Sequence, residues 1–178
     1  MDNKSTTYRS SQGMGDRGHG GREGGRRPEG PPELPPNYLA KGYFDQKNNL
    51  LKEIFIEWPE SLTQSLRRAK PPATKNSLRA FYSMLRMAKN QFDSQRRAKA
   101  MQERAQGDAK TQLLKLRTAA QYQSTRRVIS TLCQRFLNKN IDLVLSKGEP
   151  FESFAANFDA FVEHFQAVIA YLPERAER

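Results

Sequence analysis

The chain has 178 residues, enough for one domain with a real core and too few for two comfortable ones. Its 30 lysines and arginines against 19 acidic residues leave a net charge of +11, which points to a polyanion or an acidic protein surface as partner. The single cysteine excludes an intramolecular disulfide, and neither a signal-peptide pattern nor an apolar run of about 18 residues is present, so a soluble cytoplasmic protein with no membrane contact is expected.

Residues 1–37 hold eight of the eleven glycines and five of the ten prolines. Such a stretch buries too little apolar surface to offset its ordering entropy, so it is expected to be a disordered Gly/Pro/Arg-rich tail. Within it, G-H-G-G-R-E-G-G-R-R at 18–27 looks like a segment that touches RNA loosely; a passive tail is the alternative, since Asp16, Glu23 and Glu29 nearly cancel its charge. A helical domain is expected over 38–178. Tyr43 and Phe44 form an anchored aromatic pair ahead of an Asp/Asn turn. Leu50, Leu51, Ile54, Phe55 and Trp58 recur at helical spacing, and Pro59 either kinks that helix or opens the next, whose inward face is Leu62 and Leu66. A basic bend, R-R-A-K-P-P-A-T, follows.

The segment 74–92 is an amphipathic helix: Pro71 and Pro72 end what precedes it and Thr74 suits the N-cap. Leu78, Phe81, Leu85, Ala88 and Phe92 fall within a sector of roughly 80°, an apolar stripe for a core. Lys75, Arg79, Tyr82, Arg86 and Lys89 occupy another sector about as wide, a cationic strip with one aromatic, or else a solvated flank. The helix either continues beyond Phe92 through a polar, strongly helix-forming stretch or gives way to a loop, with a stop near Gly107. From Lys110 another helix carries Leu113, Leu114 and Leu116, and a second strip in which Lys115, Tyr122 and Arg126 lie within about 40°. Val128, Ile129, Leu132, Cys133, Phe136, Leu137, Ile141, Val144 and Leu145 then mark a core face ending near Gly148. Cys133 reads as a small buried hydrophobe. In the last helix Phe151, Phe154, Phe158, Phe161, Phe165, Val168 and Leu172 form an a/d seam. The fold class is therefore all-α, a single-domain bundle of about five helices.

Charge is unevenly placed: residues 67–139 hold eighteen basic side chains against only Asp93, Glu103 and Asp108, whereas 140–178 hold three against seven acids. Catalytic chemistry is hard to assemble. His19 lies in the tail and His164 beside the phenylalanine seam, and one cysteine with two distant histidines cannot make a zinc site. No phosphate loop or nucleophile elbow is present, so no catalytic residue, metal or cofactor is expected.

T-K-N-S-L-R-A-F-Y-S-M-L-R at 74–86, preceded by Y-F-D-Q-K-N-N-L at 43–50 and followed by L-L-K-L-R at 113–117 and F-E-S-F-A-A-N-F-D-A-F-V-E-H-F-Q-A-V-I-A-Y at 151–171, resembles the small subunit of the type III-A CRISPR Csm effector complex. The resemblance covers roughly 38–172. The family usually has a proline where Leu116 stands, and an Ala-Tyr-Ala run where this chain has Ala119, Ala120, Gln121 and Tyr122. It implies a five-helix bundle without catalytic activity or a small-molecule substrate. Copies of the chain would stack as an inner filament beside the backbone subunits, lining the channel for guide RNA and target RNA. Target cleavage would belong to the backbone subunits, and nucleotide-cyclising and DNA-cleaving chemistry to the large subunit. On this reading Lys75, Arg79, Arg86, Lys89, Lys115, Arg117, Arg126 and Arg127 contact RNA phosphates without reading sequence. Tyr82 and Tyr122 would stack on bases, with packing at the bundle edge as the alternative. Two rivals use the same residues: a helix-turn-helix DNA-binding regulator reading with the Thr74 helix, and an assembly-only subunit docking its basic strips on acidic protein surfaces.

Overall fold

The computed structural model describes residues 30–174; the tail through residue 29, with its arginine–glycine segment, lies outside the described residues. Five α-helices make the bundle: α1 (Glu57–Arg68), α2 (Lys75–Gln95), α3 (Gln102–Thr125), α4 (Thr131–Ser146) and α5 (Phe151–Tyr171). Among the described residues there is no strand, only an isolated bridge between Phe44 and Leu50, and no helix is long and apolar enough to cross a membrane.

The last helix is the centre of the fold because its apolar seam is continuous. Phe154, Phe158, Phe161, Phe165 and Val168 are fully buried, and α5 packs against all four other helices. Phe92 of α2 meets the rings of Phe151, Phe154 and Phe158 at centroid distances of 5.5–5.6 Å, and Phe136 of α4 meets Phe165 edge-on at 5.3 Å. Each such side chain contributes about 1.5–3 kcal/mol by burial, and each ring pair about 0.5–1.5 kcal/mol more. The stripe read on α2 is this core's opposite wall, with Leu78, Phe81, Leu85, Ala88 and Phe92 all buried.

A second centre is polar. The Nδ1–H of His164 donates to the Ile54 carbonyl (2.7 Å), which leaves Nε2 to accept from the Tyr38 hydroxyl (2.6 Å). Asn140 donates to Tyr38 Oη and to the Phe136 carbonyl, and accepts from the Tyr43 hydroxyl (2.6 Å). Every group in this buried chain has a partner, so His164 is a structural, neutral histidine, and burial pushes its pKa down to about 4. The network fastens the segment before α1 onto α4 and α5. Its Asp/Asn turn forms as expected, with Asp45 Oδ1 accepting from the backbone N–H groups of Lys47 and Asn49 (both 2.8 Å). Cys133 is buried, and its thiol is pushed up to about 12 by desolvation.

Three local expectations change. Residues 50–58 are not one helix: a short 3₁₀ turn (Lys52–Ile54) precedes α1, Ile54 is buried, and Leu50 and Phe55 are exposed. Pro59 sits in the first turn of α1, where its missing N–H costs no helical bond. Gly107 does not stop a helix but lies inside α3. That helix starts at Gln102 because Ala105, Gln106 and Ala109 are buried in the bundle, and Gln106 donates to the Gly148 carbonyl. Val128 leaves the core face, exposed in the corner between α3 and α4, while Ile129 stays buried.

Candidate nucleic-acid interface

Helix α2 starts on a reciprocal cap. Thr74 Oγ1 accepts from the Ser77 backbone N–H (3.1 Å), and Ser77 Oγ accepts from that of Thr74 (2.9 Å). From there the cationic strip divides into two rows about 40° apart. The inner row, Lys75, Tyr82 and Lys89, faces α5. Lys75 pairs with Glu174 (3.3 Å), and its backbone N–H donates to the Pro173 carbonyl (2.9 Å). Tyr82 donates to Gln166 (2.9 Å), and its ring meets Phe165 edge-on at 5.6 Å. Lys89 is buried and ion-paired with both Asp93 and Asp159. These side chains tie α2 to the end and the body of α5, Lys89 buried and Lys75 and Tyr82 half-buried. The outer row is Arg79 and Arg86, both exposed, with the Arg86 guanidinium 6.0 Å from the Tyr82 ring centroid.

On α3, Lys115 is exposed and Tyr122 is 57% exposed. Arg126, the C-cap, lies over the Tyr122 ring at 5.4 Å and donates to its hydroxyl (3.2 Å). The pair is a cation–π contact on an exposed surface. Arg117 points elsewhere, paired with Asp142 of α4. Arg127 closes the helix: its N–H donates to the Ser124 carbonyl and that of Val128 to the Gln123 carbonyl (both 2.9 Å), with Arg127 at φ 57°. That is the left-handed closing residue usually supplied by glycine.

The α2 strip borders α5, whereas the α3 strip continues the flank of Asp108, which accepts from Gln95 of α2 (3.1 Å). Among the described residues no carboxylate pairs with Arg79, Arg86, Lys115 or Arg126. No cluster of metal-binding side chains occurs among the described residues. The leading turn of α2, which a helix-turn-helix protein would insert in a major groove, is instead joined to the end of α5 through Lys75. Lys70 enters the sequence pattern only as part of the basic bend before α2, and Arg135 not at all. Lys70 lies in the turn between α1 and α2 and Arg135, 65 positions on, within α4, and no periodicity links them.

The fold and these surfaces define a small all-α module with exposed basic side chains on α2 and α3. The Csm2 Type III-A family model matches residues 52–174, and the chain belongs to that family, the small subunit of the type III-A Csm complex. It is thus a CRISPR–Cas protein that associates with other Csm subunits. No individual curated protein and no solved structure matches the chain.

Proposed function

We propose that this chain is a non-catalytic RNA-binding scaffold of the type III-A Csm complex. Copies stack as an inner filament against the backbone subunits and the large subunit, and hold the backbone of guide RNA and target RNA. The observation that carries this reading is the quartet Arg79, Arg86, Lys115 and Arg126, exposed on α2 and α3 with no carboxylate partner among the described residues. Guide pairing supplies specificity, so such a subunit needs only phosphate and shape recognition. Tyr122 under Arg126 is the surface for base contact. Lys75, Lys89 and Arg117 act on RNA only indirectly, by holding α2 on α5 and α3 on α4.

The test is the Arg79→Ala/Arg86→Ala variant in the assembled complex. For every phosphate that is no longer neutralised, the slope of log affinity against log salt should fall by about 0.7–0.9, with the far-UV helical signal unchanged. Unaltered affinity and slope would refute the assignment and favour docking on acidic protein.

A further inference from the structure

Two depressions, of about 530 and 310 Å³, adjoin where the turn between α1 and α2 meets the corner between α3 and α4. Lys70 and Thr131 line both. Arg127, Ser124 and Thr125 complete the first; Arg68, Ser130 and Arg135 border the second. No carboxylate lines either one, and among the described residues none pairs with Lys70, Arg127 or Arg135. Segments distant in sequence therefore converge on one trough whose polar side chains are all cations and hydroxyls, set beside the apolar Pro71, Ile129 and Leu132.

Arg127 adds a separate argument. It occupies the left-handed position that closes α3, where glycine meets no steric cost, yet the chain places an arginine there and aligns it with the trough. We propose that this trough is a second RNA-backbone site, in which Lys70, Arg127 and Arg135 hold a phosphodiester while Thr131 and Ser124 offer hydrogen bonds to phosphate or ribose oxygens. The ligand class follows from the lining. Lysine, arginine, serine and threonine are the side chains that contact phosphate and sugar. The large aromatic anchors that dominate protein–protein contacts are missing from it.

The proposal rests on the RNA-binding reading above, and its test separates the two. The full chain is titrated with fluorescein-labelled single-stranded polyuridine across a salt series. Wild type is compared with Lys70→Ala/Arg127→Gly/Arg135→Ala and with Arg79→Ala/Arg86→Ala. Each neutralised phosphate on a single strand is worth about 0.7 in salt slope, about fivefold in affinity at 0.1 M salt, so the trough variant, which gives up one phosphodiester, should lose about 0.7 of slope and about fivefold in affinity. Wild-type binding by the trough variant, with the α2 variant weakened, overturns the trough and leaves the RNA reading standing. Absence of salt-dependent polyuridine binding by wild type overturns both. Loss of labelled polyglutamate binding by the trough variant, with polyuridine binding intact, assigns the trough to acidic protein and overturns the proposal. A Lys70→Gln/Arg135→Gln variant, which leaves the α3–α4 corner untouched, gives the same comparison if the triple variant does not fold.

Discussion

Arg127 shows how one residue answers to two demands. Its φ of 57° costs an L-residue about 1–2 kcal/mol relative to ordinary helical backbone, while glycine would pay mainly in unfolded-state entropy, about 0.4–1 kcal/mol. Arg127→Gly is therefore expected to leave the midpoint of urea unfolding unchanged or raise stability by up to ~1 kcal/mol, despite removing a charged side chain. A fall in stability would show that the arginine side chain itself holds the corner together. The strip residues teach a related lesson. Helical periodicity placed Lys75, Arg79, Tyr82, Arg86 and Lys89 on one side of α2, and the structure keeps them there. What a helical wheel cannot say is which neighbour covers that side. Asp159, Gln166 and Glu174 lie at least seventy positions on in the chain from the residues they hold, and only tertiary packing separates Lys89, buried, from Arg86, exposed.

At the scale of elements, the strongest apolar patterns were legible because burial and periodicity agree: the α2 stripe and the phenylalanine seam of α5 form as their spacing requires. Helix α3 was plainly legible only from Lys110 on, its last two thirds. Its first third, Q-E-R-A-Q-G-D-A, is helix-forming but lacks large apolar side chains and carries a glycine, which locally signals an end. Packing of Ala105 and Ala109 against the bundle overrides that signal. The same geometry leaves Gly107 exposed, and a Cβ built there meets nothing within 4 Å. Gly107→Ala should consequently stabilise the protein by about 0.5–1 kcal/mol, raising the melting temperature by about 1–4 °C. A lowered melting temperature would mean that α3 does not run through this position. The exposed Leu50 and Phe55 illustrate the opposite error, in which apolar spacing alone is read as a buried face.

For the whole molecule, the buried network at His164 joins three parts of the chain, and nothing in the sequence but two tyrosines, an asparagine and a histidine far apart announces it. Its consequence is a pH dependence of global stability. The folded-state pKa, about 4, lies below the ordinary value of 6.5, so the unfolded chain takes up the proton first as pH falls. The contribution is complete above about pH 6.5 and is lost progressively towards pH 4, amounting to about 3 kcal/mol at most. Chemical denaturation at pH 7 and pH 4.5 should show this loss in the wild type and a much smaller one in His164→Gln. Equal pH dependence in the two would remove His164 as its source. The placement of the other helices around α5 follows from amphipathic patterns; their register depends on polar contacts such as these, which patterns do not encode.

The pairing of α2 with α5 has one more implication. Lys75, Tyr82 and Lys89 step along α2 by seven residues while their partners, Glu174 just past the end of α5 and Gln166 and Asp159 on it, step back by nearly the same interval, so α2 cannot rotate or slide without breaking all three contacts. Arg79 and Arg86, on the adjoining row, are thereby mounted about 10.5 Å apart on a fixed bar. A bar of that kind meets a regular polyanion with little left to order on contact, and favours ligands whose charges recur at its own spacing over those that must adapt to it.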